Sequence, residues 1–266
     1  MCIRDRVKTV DEAVPKGDPR RLVPRLSLSR FHLEHGRPSE ATAVARTALG
    51  LGEAAFGPTD RRLLQVLLMV GRAEASSGDV GGADSTFERV VRIAAPLDPR
   101  DPELAFVLGA SGMHFVTRGR SERGVPLVEK AVALQEARGG GDDPSIVPLI
   151  ATLAGVHQSA GRTREAGVLL DRAIRILERT GGADSPELAR FVSQRAHVEL
   201  ATGDTEAATV LFRRTIRLVE GRSGGEDSLV DALIGLAEAL RLGASLEDAR
   251  AAVERALAIA KRPDLA

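Results

Sequence analysis

Residues 161–182 read GRTREAGVLLDRAIRILERTGG, and 42 residues further on residues 203–224 read GDTEAATVLFRRTIRLVEGRSG. Both stretches open with a glycine, place a small residue five positions later and have another small or polar residue twelve positions later. Working outward, the same frame recurs as Gly36/Ala41/Ala48, Gly78/Ala83/Val90, Gly119/Gly124/Ala131, Gly161/Ala166/Ala173 and Gly203/Ala208/Thr215. A sixth copy, Gly243/Ala249/Ala256, carries one inserted residue. The glycines lie 42, 41, 42, 42 and 40 residues apart. A period in this range belongs to stacked supersecondary units, each of which buries its apolar face only against its neighbours.

Within a unit the pattern resolves into two helices. Counted from the small residue after the glycine, offsets 0, 3, 4, 7, 8 and 11 give Ala166, Leu169, Leu170, Ala173, Ile174 and Leu177 in one copy and Ala208, Leu211, Phe212, Thr215, Ile216 and Val219 in the next. That spacing is one stripe of an amphipathic helix, helix B. Ser121, Thr163, Thr205 and Ser245, each two residues past its glycine, are expected to cap it, with Glu122, Glu165, Glu206 and Glu247 in the first turns. Helix A precedes each glycine, as from about Pro102 to Arg118 or Pro186 to Thr202, with proline suited to its first position. The glycine reverses the chain between A and B through a left-handed conformation. Pro24 and Pro126 fall inside the predicted helices and are expected to kink or shorten them. The pattern predicts an all-α solenoid of 12 main helices in six antiparallel pairs, without a sheet, in which Ala166 and Ala208 are buried where A and B approach.

The helix-pair frame, with small residues at the close-approach positions, resembles the tetratricopeptide repeat, in the longer kinesin-light-chain type of about 42 residues. The matching residues are Gly71, Gly112, Ala154, Ala196 and Ala237 in helix A. In helix B they are Ala41, Ala83, Ala166, Ala208 and Ala249, then Ala48, Ala131, Ala173 and Ala256. The aromatic this type carries four residues before the glycine is Phe115 here, with His32, Glu74, His157 and Glu199 at the same place in other copies. The resemblance implies a right-handed α-α superhelix with A helices on its concave wall. It places Gln65, Arg72, Phe106, Met113, Gln158, Arg190, Gln194 and His197 on that wall, where a peptide or protein segment would be held by Gln and Arg and by the apolar Phe106 and Met113. The function implied is a protein–protein interaction scaffold within a larger bacterial signalling or regulatory protein. The alternative is a peptide- or ligand-sensing receptor region controlling an attached kinase, protease-like or DNA-binding domain.

Composition narrows the partners. With 37 basic and 37 acidic residues the formal charge is zero, so no general field draws phosphate backbones or anionic lipid. There is no Trp or Tyr and only seven Phe, which leaves little for bases to stack on, so nucleic acid is not an expected partner. No apolar run reaches the length of a membrane span, and a cytoplasmic location is expected. The only lysines are Lys8, Lys16, Lys130 and Lys261 in a chain crowded with Arg, Ala and Gly, a bias of GC-rich bacterial coding. Residues 1–6, MCIRDR, resemble a translated transposon-end sequencing adapter and are read as an artefact. Cys2, the one cysteine, falls within it. Residues 7–19 read as the remnant of a preceding segment or repeat and 20–262 as the six-repeat array. Residues 263–266, Pro-Asp-Leu-Ala, echo Pro102-Glu103-Leu104-Ala105 and read as the start of a further repeat, so the chain is expected to be an internal fragment.

No catalytic or cofactor constellation emerges, and no enzyme activity, metal or cofactor is expected. His32, Glu34 and His35 are spaced like a partial metal site but lack a further ligand. Asp98/Asp101 and Asp142/Asp143 sit at junctions where Asp serves as a turn and capping residue. GGGDD at 139–143 lacks the Lys-Ser/Thr of a phosphate loop. Ser193 and His197 share a helix face with nothing to complete a triad.

Overall fold

The computed structural model describes residues 3–15, 17–222 and 224–261; the sequence readings for Cys2 and residues 263–266 lie outside them. The described residues contain helices and turns and no strand. A first helix, α1 (Ile3–Ala13), precedes six A/B pairs. These are α2 (Leu22–Glu34) with α3 (Pro38–Phe56), α4 (Leu64–Ser77) with α5 (Val80–Ala94) and α6 (Pro102–Thr117) with α7 (Ser121–Gly139). They continue as α8 (Val147–Ser159) with α9 (Thr163–Gly181), α10 (Leu188–Thr202) with α11 (Thr205–Val219) and α12 (Glu226–Leu242) with α13 (Leu246–Ala260). The chain forms two compact units, residues 1–134 and 135–266.

The turn between A and B is built the same way six times. In the second pair the Asp79 N–H donates to the Glu74 carbonyl and the Gly78 N–H to the Ala75 carbonyl, while Gly78 has φ +85°. Paired bonds of this kind satisfy the last free carbonyls of a helix but force one residue into the left-handed region, which glycine enters without a Cβ clash. The inserted residue of the sixth copy shifts this duty. Gly243 has φ −80° and Ala244 takes φ +63°, the only non-glycine described with positive φ.

Three of the four expected caps are displaced by one residue. Ser121, Thr163 and Thr205 are the first residues of their helices, not caps. Side-chain capping comes instead from Asp79, which accepts from the Gly82 N–H, and Asp204, which accepts from the Ala207 N–H. Ser245 occupies the cap without using its side chain. The two-residue reversal after the helix A terminus leaves the residue directly after the left-handed one at the cap, so only that position can aim an oxygen at the free N–H groups. At the B-to-A junctions the aspartates do cap. Asp101 accepts from Glu103 and Asp143 from Ser145, at 2.9 and 2.8 Å. At Asp60 the Arg62 guanidinium and backbone N–H hold the carboxyl down at about 2. Pro24 lies in the first turn of α2, where its missing N–H has no helical partner, and α7 runs through Pro126 for 19 residues without being shortened.

The small-residue register is the core of both units. Ala41, Ala45, Ala48 and Ala83 in the first, and Ala166, Ala173 and Ala208 in the second, have no exposed surface. In the third pair the closeness is extreme: a Cβ built on Gly124 would lie 2.5 Å from the Gly112 carbonyl oxygen. Gly71 and Gly235 instead leave room for aromatic rings, of Phe87 and Phe212 respectively. Polar groups replace the aromatic expected before the turn. Glu74, 3% exposed, accepts from Arg46 at 2.7 Å and from the Thr86 hydroxyl at 2.7 Å, so the buried carboxylate is paired and hydrogen-bonded.

Candidate functional site

In the first unit, A helices of successive pairs touch directly, α2 with α4 and α4 with α6, whereas the B helices α3 and α5 do not meet to the same extent. The A layer is therefore the converging, inner side. Between α4 and α6 this inner side opens into a cleft of about 500 Å³. Leu68, Met69, Phe87 and His114 form its buried floor. Four residues singled out from the sequence, Gln65, Arg72, Phe106 and Met113, line it together. Phe106 is 55% exposed, an apolar ring presented to solvent on a cleft that Gln65 and Arg72 also line. Helix geometry explains the grouping. Gln65 and Phe106 each lie thirteen residues before their turn glycine, and Arg72 and Met113 each lie six before it, so adjacent A helices offer matching faces.

Arg30 completes the cleft and was missed by the sequence reading. Its signal was present: it stands six residues before Gly36, the register of Arg72. The floor is held by a polar cluster in which the buried His114 Nε2 lies 2.7 Å from the buried Asp84 and the exposed Arg120 reaches the other Asp84 oxygen at 2.8 Å. Phe87 stacks on the His114 ring at 4.2 Å. Gln65 is already engaged, its amide donating to Glu103 at 3.0 Å across the cleft mouth.

The remaining four residues lie outside this cleft, with Arg190, Gln194 and His197 at i, i+4 and i+7 along α10 and Gln158 on α8. Arg190 lies over the Phe191 ring at 4.3 Å and lines a different cleft of about 600 Å³, formed in the second unit with Pro148, Leu177, Phe191 and Val219. Gln194 is exposed and Gln158 half-buried on their helices. His197 is exposed with its ring edge-on to Phe212 at 5.0 Å. His32 is buried with Nδ1 3.2 Å from Glu40, and His35 Nδ1 meets the Phe31 carbonyl, so both histidines of the HxEH run make local contacts. Among the described residues no group of three or more His, Cys, Asp or Glu could hold a metal ion, and no helix is long and apolar enough to cross a membrane.

Residues 146–221 match the family model for the tetratricopeptide repeat. No curated protein matches the chain in sequence. Among solved structures, the chain is similar to BtubC (BKLC) from P. vanneervenii, with a TM-score of 0.67, 17% identity and 90% of each chain covered. It is also similar to the nearly identical TPR-like repeats of a putative kinesin light chain from Podosopora anserina, with a TM-score of 0.66, 23% identity, and 76% of this chain and 96% of that one covered. The type IV pilus biogenesis factor PilW matches with a TM-score of 0.67, 15% identity, and 91% and 94% covered.

Proposed function

From tetratricopeptide repeats at residues 146–221, in a chain that has the tetratricopeptide-repeat fold, we propose a non-catalytic protein-interaction scaffold that holds an extended peptide segment against its A helices. The carrying observation is the cleft between α4 and α6, where an exposed phenylalanine, a methionine and two arginines on neighbouring helices face one volume. An extended segment would lay an apolar side chain between Phe106 and Met113 and meet the arginines with carboxylates. The partner is a protein or peptide, neither nucleic acid nor membrane, and it is bound in the cytoplasm as part of a larger regulatory protein.

The test is selection of a displayed random-peptide library on the protein, followed by anisotropy titration of labelled winners. Arg72→Glu and Phe106→Ala should each weaken binding by about tenfold or more, as hot-spot residues do. Arg190→Glu, in the other cleft, should matter less, and helicity should be unchanged because surface substitutions shift stability by under about 0.5 kcal/mol. Added salt should weaken binding through the Arg72 contact. Winners that bind Arg72→Glu and Phe106→Ala as well as the parent would sink the reading.

A further inference from the structure

Successive B helices are tied by a periodic contact at the B-to-A junction. An arginine six residues past the small residue of one B helix reaches back to a glutamate twelve residues past the small residue of the preceding one. The pairs are Glu53–Arg89 at 2.5 Å, Glu136–Arg172 at 2.6 Å, Glu178–Arg214 at 2.6 Å, and Glu220–Arg255. The same arginines also donate to a junction carbonyl: Arg89 to Pro58 at 2.5 Å, Arg172 to Gly141 at 2.5 Å and Arg214 to Ala183 at 3.3 Å. Three of the four arginines are only about one-quarter exposed, at 25, 24 and 25%. A half-buried guanidinium sharing its donors between a carboxylate and a carbonyl is held more firmly than an open surface pair.

One joint lacks this latch. Between the second and third pairs the glutamate position is Ala95 and the arginine position is Lys130, both exposed. The left-handed junction glycine is absent too. Gly57, Gly140, Gly182 and Gly224 have φ between +76 and +88°, and Pro99 stands at that place after α5. The ties of this joint lie elsewhere. Asp84 with His114 and Arg120, and Glu88 with Arg123 at 2.7 Å, fasten α5 to the A–B turn of the third pair. Arg61 with Asp101 at 2.7 Å and Gln65 with Glu103 fasten the inner side. The last turn of α5 and its junction, on the outer side, have no counterpart to the latch.

We infer that the joint between the second and third pairs is the flexible joint of the first unit. It pivots on the Asp84–His114–Arg120 cluster and on the inner-side ties, and it loosens at residues 91–100. The cleft between α4 and α6 spans this joint, so its width varies with the joint angle, whatever occupies it.

Native-state hydrogen exchange of the free protein tests this through protection factors, which correct for intrinsic rates. The Ala95 amide, bonded to the Val91 carbonyl, is compared with Gly57, bonded to Glu53, and Gly182, bonded to Glu178. Ala95 should exchange about tenfold faster than either, as local openings outrun global unfolding where ties are few. Grafting the latch with Ala95→Glu and Lys130→Arg should slow Ala95 to the level of Gly182, and removing one with Glu178→Ala and Arg214→Lys should speed Gly182 to the level of Ala95. Equal protection at the three amides in the parent protein would overturn the inference. So would a grafted latch that leaves Ala95 unchanged.

Discussion

The crossing of α6 and α7 offers the sharpest test of the packing, through Gly124→Ala. A Cβ at position 124 would lie 2.5 Å from the Gly112 carbonyl oxygen, 2.7 Å from Val116 Cγ2 and 2.8 Å from Val116 N. Ordinary carbon–oxygen contact begins at about 3.3 Å, so the helices must part by about 0.8 Å along this line. Two of the three obstacles are backbone, which cannot rotate aside. Overpacking of this kind costs about 1–3 kcal/mol, against a gain of up to about 1 kcal/mol from replacing glycine in a helix. The gain is smaller here because Gly124 lies in the first turn of α7. The net expectation is a loss of about 1–2 kcal/mol, which at a urea slope of about 1–3 kcal/mol/M lowers the midpoint by about 0.3–2 M. Far-ultraviolet circular dichroism is the assay, since the chain has no Trp or Tyr to report by fluorescence. Gly50→Ala is the control: it sits inside α3 with nothing within 4 Å of its added Cβ and should stabilise by about 0.5–1 kcal/mol. If Gly124→Ala raises the midpoint as Gly50→Ala does, the close crossing is wrong.

Three further substitutions probe the repeat frame. Ala208→Leu places a larger side chain at a site with no exposed surface and should cost about 1–3 kcal/mol, read as a lowered denaturation midpoint; an unchanged midpoint would mean that the A/B register is misplaced. Ala244→Gly removes the Cβ from the one left-handed alanine, at φ +63°, and should stabilise by about 1 kcal/mol, while Gly203→Ala at φ +87° should cost a similar amount; midpoints moving in the same direction for both would contradict the turn geometry.

The sequence alone determined the repeat, the helix pairing and the buried small residues. These are local properties: the turn after each A helix needs a residue that tolerates positive φ, and a stripe with helical period has only one way to face its partner. Even the exception was legible in part, since the inserted residue of the sixth copy is where Ala244 takes over from glycine. The caps at Ser121, Thr163 and Thr205 were misplaced by one residue because propensity favours Ser and Thr in that neighbourhood without saying which position the reversal leaves at the helix mouth. Only the tertiary structure decided which wall residues share a volume. Gln65, Arg72, Phe106 and Met113 stand beside Gln158, Arg190, Gln194 and His197 on equal terms in the sequence, yet the first four line one cleft, with Arg30, and the others lie outside it, Arg190 in a cleft of the second unit. The burial of Glu74 and of the Asp84–His114 pair was equally invisible, since charged residues read as surface until a partner from another helix is found. A repeat's register is written in every copy, but the space between neighbouring repeats depends on how far each pair turns relative to the last. That turn is the sum of contacts such as Glu53 with Arg89 and Arg61 with Asp101, made by residues of successive pairs.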